Sequence, residues 1–283
     1  MGLRIRTRFL GIGLFAVLVG SVLAGLALRQ PAAAADIIVG ETVGASQRIP
    51  LGQIDHTAWD ELLHKYVDSH GMVAYAAWKR SASDQRKLLD YLNHLSRSDN
   101  RGTKPQLLAF WINAYNALTV YGILREYPTS SIRNHTAKLF GYNIWKHLKL
   151  RVAGNAYSLE DIEHKILRKM GEPRIHFAIV CASIGCPRLL NEAYVPERLD
   201  QQLTENAKNF FGNREKFRYD AASRRFWVSP ILQWFAEDFG ADQAARLRTI
   251  APYLPDETSR HMALAGKVSL SYLDYDWSLN DRK

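Results

Sequence analysis

Cys181 and Cys186 are the only two cysteines among 283 residues, so all sulfur chemistry open to this chain lies within five positions. In an oxidising compartment such a pair closes a short disulfide loop of purely structural use. Left reduced, Cys181 stands at the C-terminal end of the apolar run Ile175 to Cys181, a suitable place for the thiolate of a hydrolase or acyltransferase. A thiol nucleophile needs a base. His176 opens the same run, but in an extended chain five residues place the two on opposite faces and roughly 16 Å apart. His164, on the preceding segment, is therefore the expected partner, or a distant histidine such as His147, with Glu163, Asn113 or Asn116 orienting the imidazole. Each of these has a plainer use: His176 as a core histidine satisfied by Glu163 or backbone, the asparagines as ties between loops and a core helix. Cys181, Cys186, His176 and His164 are also zinc-ligand types, yet their spacing matches no finger or ribbon, so no metal and no cofactor is expected.

The elements that must position these residues can be read from periodicity and caps. Thr103-Lys104-Pro105 opens a helix running to about 126 and stopping before Pro128. It is apolar around most of its circumference, which predicts a buried core helix over about 105–126, and Asn113 and Asn116 stand inside it three apart. Asparagine is a poor helix former, so each needs a specific partner. Trp145 to Val152, the turn at Ala153-Gly154 and Tyr157 predict a hairpin, and Ser158 with Asp161 caps a helix that ends before Gly171. Glu163 falls on the apolar stripe of that helix and requires a partner, with Arg168, Arg174 or one of the asparagines within reach. The near-continuous apolar stretch 175–181 reads as one buried strand. Further helices over 57–68, 83–95 and 196–211, a second hairpin around 217–228, helices to 264 and a last strand over 268–275 make a helix-rich α+β fold. No linker divides 55–283, which is taken as a single globular domain.

Before it, Arg4, Arg6 and Arg8 precede an apolar run to Leu28, and Ala32 to Ala35 supply small residues before Asp36. This is the layout of a signal peptide over 1–35, cut after Ala35, which predicts an exported chain, periplasmic or secreted, that meets a membrane only if the segment stays uncleaved. Residues 36–54 read as a flexible leader. Charged residues at 23% and hydrophobic ones at 47% exclude a disordered or polytopic membrane chain. The formal charge of +9 falls to +5 on removal of 1–35, and that remainder equals the excess of Arg133, Lys138, Lys146, Lys149 and Arg151 between Tyr127 and Leu159, where no acid occurs. A local excess of this kind suits an anion. With Arg188, the residues Lys146, Lys149 and Arg151 are the expected anion-binding group, facing an anionic cell-envelope component rather than nucleic acid, from which export would separate the protein.

Several motifs in order, AFWINAYNA over 109–117, YSLEDIEH over 157–164, RIHFA over 174–178, Cys181-Ala182-Ser183, Cys186-Pro187 and YDWSLN over 275–280, resemble the family called domain of unknown function 547, found in exported bacterial proteins and in plants. The resemblance covers about 107–280. It departs from the family at Arg188, where a second proline is usual, and it implies no activity. Two functional expectations follow: a thiol-dependent hydrolase or acyltransferase using Cys181 and a histidine, or a non-catalytic envelope binding domain with a Cys181–Cys186 disulfide and a basic anion-binding surface. The oligomeric state is not legible.

Overall fold

The computed structural model describes Gly2, residues 35–137 and residues 141–282. The expected signal segment therefore lies almost wholly outside the described residues, as do Lys138 and Phe140. The first part of the chain runs β1 (Ile37–Val39), α1 (Thr57–Tyr66), α2 (Tyr75–Arg80), α3 (Ala82–Ser96), α4 (Lys104–Glu126), α5 (Ile144–His147), β2 (Leu148–Val152), β3 (Asn155–Ser158) and α6 (Leu159–Asp161). Helix α4 is the centre of this half. Thr103 and Gln106 close a capping box with Pro105 in the first turn, and every residue from Leu108 to Val120 is buried. It is long and apolar enough to cross a membrane, yet it forms the core of the fold and packs against α3, α6 and β2. Gly122 permits the close approach of β2 and α5: a Cβ there would meet Leu148 and Ile144 at 2.7 and 2.8 Å.

Residues 36–54, expected to be a flexible leader, contribute β1 and two 3-10 turns instead. β1 pairs parallel with β2, and Val39 is buried against the core. β2 and β3 form the expected antiparallel hairpin, turned by Ala153 and Gly154, both at positive φ.

The second part comprises α7 (Leu199–Gly212), β4 (Phe217–Asp220), β5 (Arg225–Val228), α8 (Ile231–Trp234), α9 (Ala236–Phe239), α10 (Gln243–Ile250), α11 (Glu257–Leu264) and β6 (Ser269–Tyr272). β4 and β5 are antiparallel and β6 joins β5 in parallel, so each of the two three-stranded sheets is a hairpin extended by a strand from far along the chain. Phe177, Phe210, Phe211, Phe217, Phe226 and Phe239 dominate a second hydrophobic core beside the one around α4. The α+β class holds.

The segment 175–181 is not a strand. Glu172 caps and Pro173 starts a 3-10 turn over Pro173–Phe177, and the chain then passes irregularly between the two cores to Cys181. An apolar run reads alike whether it is extended or wound, because it is buried on all sides either way. Its backbone is satisfied by side-chain amides rather than by a neighbouring strand: Asn206 Nδ2 donates to the Phe177 carbonyl at 2.7 Å, and Asn116 binds both the Ala178 carbonyl and the Val180 N–H at 3.0 Å. After Asp161 the helix continues as a π turn over Ile162–Leu167 and a 3-10 turn over Arg168–Met170, closed by left-handed Gly171. The C-terminal tail stitches the halves together, since Ile184 N–H and Gly185 N–H donate to the Ser278 and Asp276 carbonyls, and Asn280 binds Gly71 and Ala182.

Candidate functional site

Where the two cores meet, a cavity of about 150 Å³ opens beside the cysteine loop. Glu163, His176, Cys181 and Cys186 lie in its wall, and Tyr115, Trp145, Trp234, Phe235, Tyr275 and Trp277 supply most of the remaining surface. Cavities that are mainly aromatic with a few convergent polar groups are the usual form of a small-molecule site. Winding of residues 173–177 is what brings His176 and Cys181 to one cavity, against the separation that an extended strand would have imposed.

Cys181 and Cys186 are joined as a disulfide, with Cα atoms 6.3 Å apart. The Cys181 N–H donates to Cys186 Sγ at 2.9 Å, and the Tyr275 hydroxyl lies 3.3 Å from Cys181 Sγ and 3.2 Å from Cys186 Sγ. The Ser183 hydroxyl is 3.0 Å from Cys181 Sγ. Gly185 allows this approach, because a Cβ there would meet the Tyr275 ring and the Asp276 carbonyl at 2.9 Å. Ala182, next to the half-buried Cys181, holds φ +57, a strained conformation for a residue with a Cβ and one often found beside reacting groups. Lys216, buried, donates to the Cys186 carbonyl, and burial lowers its ammonium to about 8.

Glu163 finds neither an arginine nor an asparagine but the Tyr115 hydroxyl, 3.3 Å from Oε2. Burial raises its carboxyl to about 7, against the opposing pull of Tyr115 and Arg168. His176 is bound through Nε2 to Asp238 Oδ2 at 2.7 Å and stacks on Phe235 with centroids 4.1 Å apart. Burial lowers the imidazole to about 4 despite Asp238, which leaves it neutral at pH 7. Arg168 donates to Asp238 at 2.6 and 3.0 Å and also pairs with Glu237. Burial would raise Asp238, but the bonds from Arg168 and His176 outweigh it and hold the carboxylate low. His164 accepts from Arg168 through Nδ1 at 3.1 Å, and burial depresses it first, Arg168 second.

The expected residues thus separate. Glu163, His176 and Cys181 come together, whereas His164 is tied to Arg168 and is absent from the cavity wall. His147 receives the Asn143 N–H. Asn113 and Asn116 are structural: Asn113 binds both the carbonyl and the N–H of Tyr194, and Asn116 binds the Ala178–Val180 backbone, so neither amide is free to orient an imidazole. Asn116→Ala strands a buried carbonyl and a buried N–H, and it is expected to cost about 3 kcal/mol in urea unfolding; a loss below about 1 kcal/mol would mean that water replaces the amide. Lys149 pairs with Asp36 at 2.6 Å, Arg188 is committed to Asn206 at 2.7 Å and to the Ser69 carbonyl, and Lys146 stays exposed. Asp238, Tyr115 and Tyr275 are not among the expected site residues: Tyr115 and Tyr275 stand in the AFWINAYNA and YDWSLN motifs, where nothing but the motif marks them, and no motif includes Asp238.

Residues 100–211 match the profile of a family described as a protein of unknown function, DUF547. The DUF547 match spans α4 to α7 and so includes Glu163, His176 and both cysteines. Asp238, Trp234, Tyr275 and Trp277 lie beyond it, as does the YDWSLN motif. No curated protein and no solved structure matches the chain.

Proposed function

We propose that the cavity is the active site of a thiol-dependent hydrolase or acyltransferase whose nucleophile is Cys181, released from Cys186 by reduction. The observation that carries this reading is the meeting of Cys181, Glu163 and His176 in one largely aromatic cavity. A free thiol titrates near 8.5 and needs help at neutral pH. His176, at about 4, is too weak a base for that task. Glu163, at about 7, is half ionised near neutrality and both accepts and returns a proton. His176, fixed by Asp238, is then a neutral polar group in the wall rather than the base. An exported setting and an anionic, acylated envelope substrate belong to the same proposal; the disulfide suits an oxidising compartment, and Arg133 lies 5.2 Å over the ring of Trp277.

A second reading, favoured by the disulfide itself, is a non-catalytic domain that binds its ligand in the same cavity with the bond closed. Hydrolysis of short-chain p-nitrophenyl esters separates the two. The acyl-transfer reading expects turnover by the reduced protein and by Cys186→Ser without reductant, loss in Cys181→Ser, and roughly a 100-fold fall in Glu163→Gln. Turnover that survives in Cys181→Ser, or is absent from Cys186→Ser that retains its fold, would overturn it.

A further inference from the structure

The two sulfurs are unequal. Both cysteines lie in the cavity wall, but Cys181 is half-buried while Cys186 is only 5% exposed. Donors surround the pair. Cys186 Sγ receives the Cys181 N–H at 2.9 Å and the Tyr275 hydroxyl at 3.2 Å, and the buried Lys216 ammonium stands on the carbonyl of the same residue. Hydrogen bonds and positive charge stabilise a thiolate far more than a disulfide sulfur, so this environment favours the reduced pair and makes Cys186 a good leaving group. A disulfide needed only to close a loop gains nothing from such donors or from a cavity at its side.

We propose that Cys181–Cys186 is an exchangeable redox couple, reduced by an external dithiol that enters the cavity and attacks Cys181, with Cys186 leaving as a thiolate held by the Cys181 N–H and Tyr275. In the first step one thiolate of the dithiol bonds to Cys181 Sγ, the Cys181–Cys186 bond breaks, and its electron pair passes to Cys186. The second thiol of the dithiol then attacks the mixed disulfide, Cys181 departs with its electron pair, and the dithiol leaves oxidised. Two electrons have entered the protein, and the two protons shed by the dithiol are taken up by the cysteines or by solvent. Glu163 supplies a carboxyl in the same wall to relay them. The exchange supplies the reduction that acyl transfer requires, yet it does not depend on that activity.

The test reads thiols, not esters, so failure of the acyl-transfer reading leaves its outcome unaffected. Native wild-type protein is treated with dithiothreitol at pH 7 and trapped with N-ethylmaleimide, and labelling of both cysteines without denaturant is expected. Cys186→Ser treated with oxidised glutathione should carry one glutathione, mapped to Cys181, and Cys181→Ser should react at least ten times more slowly through buried Cys186. Tyr275→Phe should move the wild-type equilibrium in glutathione buffers several-fold toward the disulfide. Labelling that requires denaturant, equal rates for the two single-cysteine variants, or an unmoved equilibrium in Tyr275→Phe would each overturn the proposal. The wild-type labelling arm decides even where a variant does not fold.

Discussion

Asp238→Ala is expected to lower the melting temperature by about 10 °C at pH 7, from a loss of about 3–4 kcal/mol. Asp238 is the hub of a part-buried network: both of its oxygens are taken by Arg168 and one also by His176. Arg168 is 18% exposed, so removing the carboxylate leaves a guanidinium largely cut off from water and facing the solvent-exposed Glu237 as its other carboxylate. Breaking a buried pair costs more than the pair contributes, because the surviving charge has nowhere to go. Asp238→Asn keeps the shape and should lose about half as much. Calorimetry of the three proteins decides the matter, and a drop under about 3 °C for the alanine variant would mean that Glu237 takes over the arginine.

The second large effect is a dependence of stability on pH that two groups hide from each other. Glu163 keeps its proton up to about 7 in the folded chain, whereas an ordinary glutamate releases it at 4.5. Its contribution is complete below 4.5 and is lost as pH rises through 7. His176 behaves oppositely: an ordinary histidine takes a proton at 6.5, but the buried ring refuses it down to about 4, so its contribution is complete above 6.5 and is lost as pH falls through 4. Each is worth about 3 kcal/mol when fully expressed. Between 4.5 and 6.5 the two slopes cancel. Glu163→Gln should therefore gain on the wild type by about 5 °C or more between pH 5 and pH 8, while His176→Gln should gain on it as pH falls from 7 to 5. Melting profiles that stay parallel to the wild type would show that neither group is perturbed as its surroundings require.

What the sequence disclosed depended on whether the cause was local. The core helix announced itself through Thr103, Pro105 and an unbroken apolar circumference, and the capping box at Ser158 and Asp161 formed where its spacing predicts. β1 escaped notice because three residues carry no periodicity and its partner strand lies beyond α4. Residues 175–181 deceived because burial on every side erases the difference between a strand and a wound segment; the deciding signal was Pro173 behind Glu172. Asn113 and Asn116 need partners wherever they stand in a buried helix, and of their two expected uses the plainer one, tying loops to the core helix, is what forms; which loops they reach is set by the tertiary fold. Glu163 was legible as an inward acid, while its companions Tyr115 and Tyr275 come from elements whose proximity only the tertiary fold creates.

The tail that carries Tyr275 imposes an order on assembly. Cys186 leaves the ribosome 89 residues ahead of the hydroxyl that will rest on it, an interval of about 5–20 s at ordinary rates of synthesis. Throughout that interval the loop lacks the tail that later covers it, and β5 waits without the parallel neighbour β6. A nascent chain of this protein thus presents its cysteines openly to whatever oxidant or reductant it meets, and arrival of the tail leaves the cavity as the route by which the pair is reached.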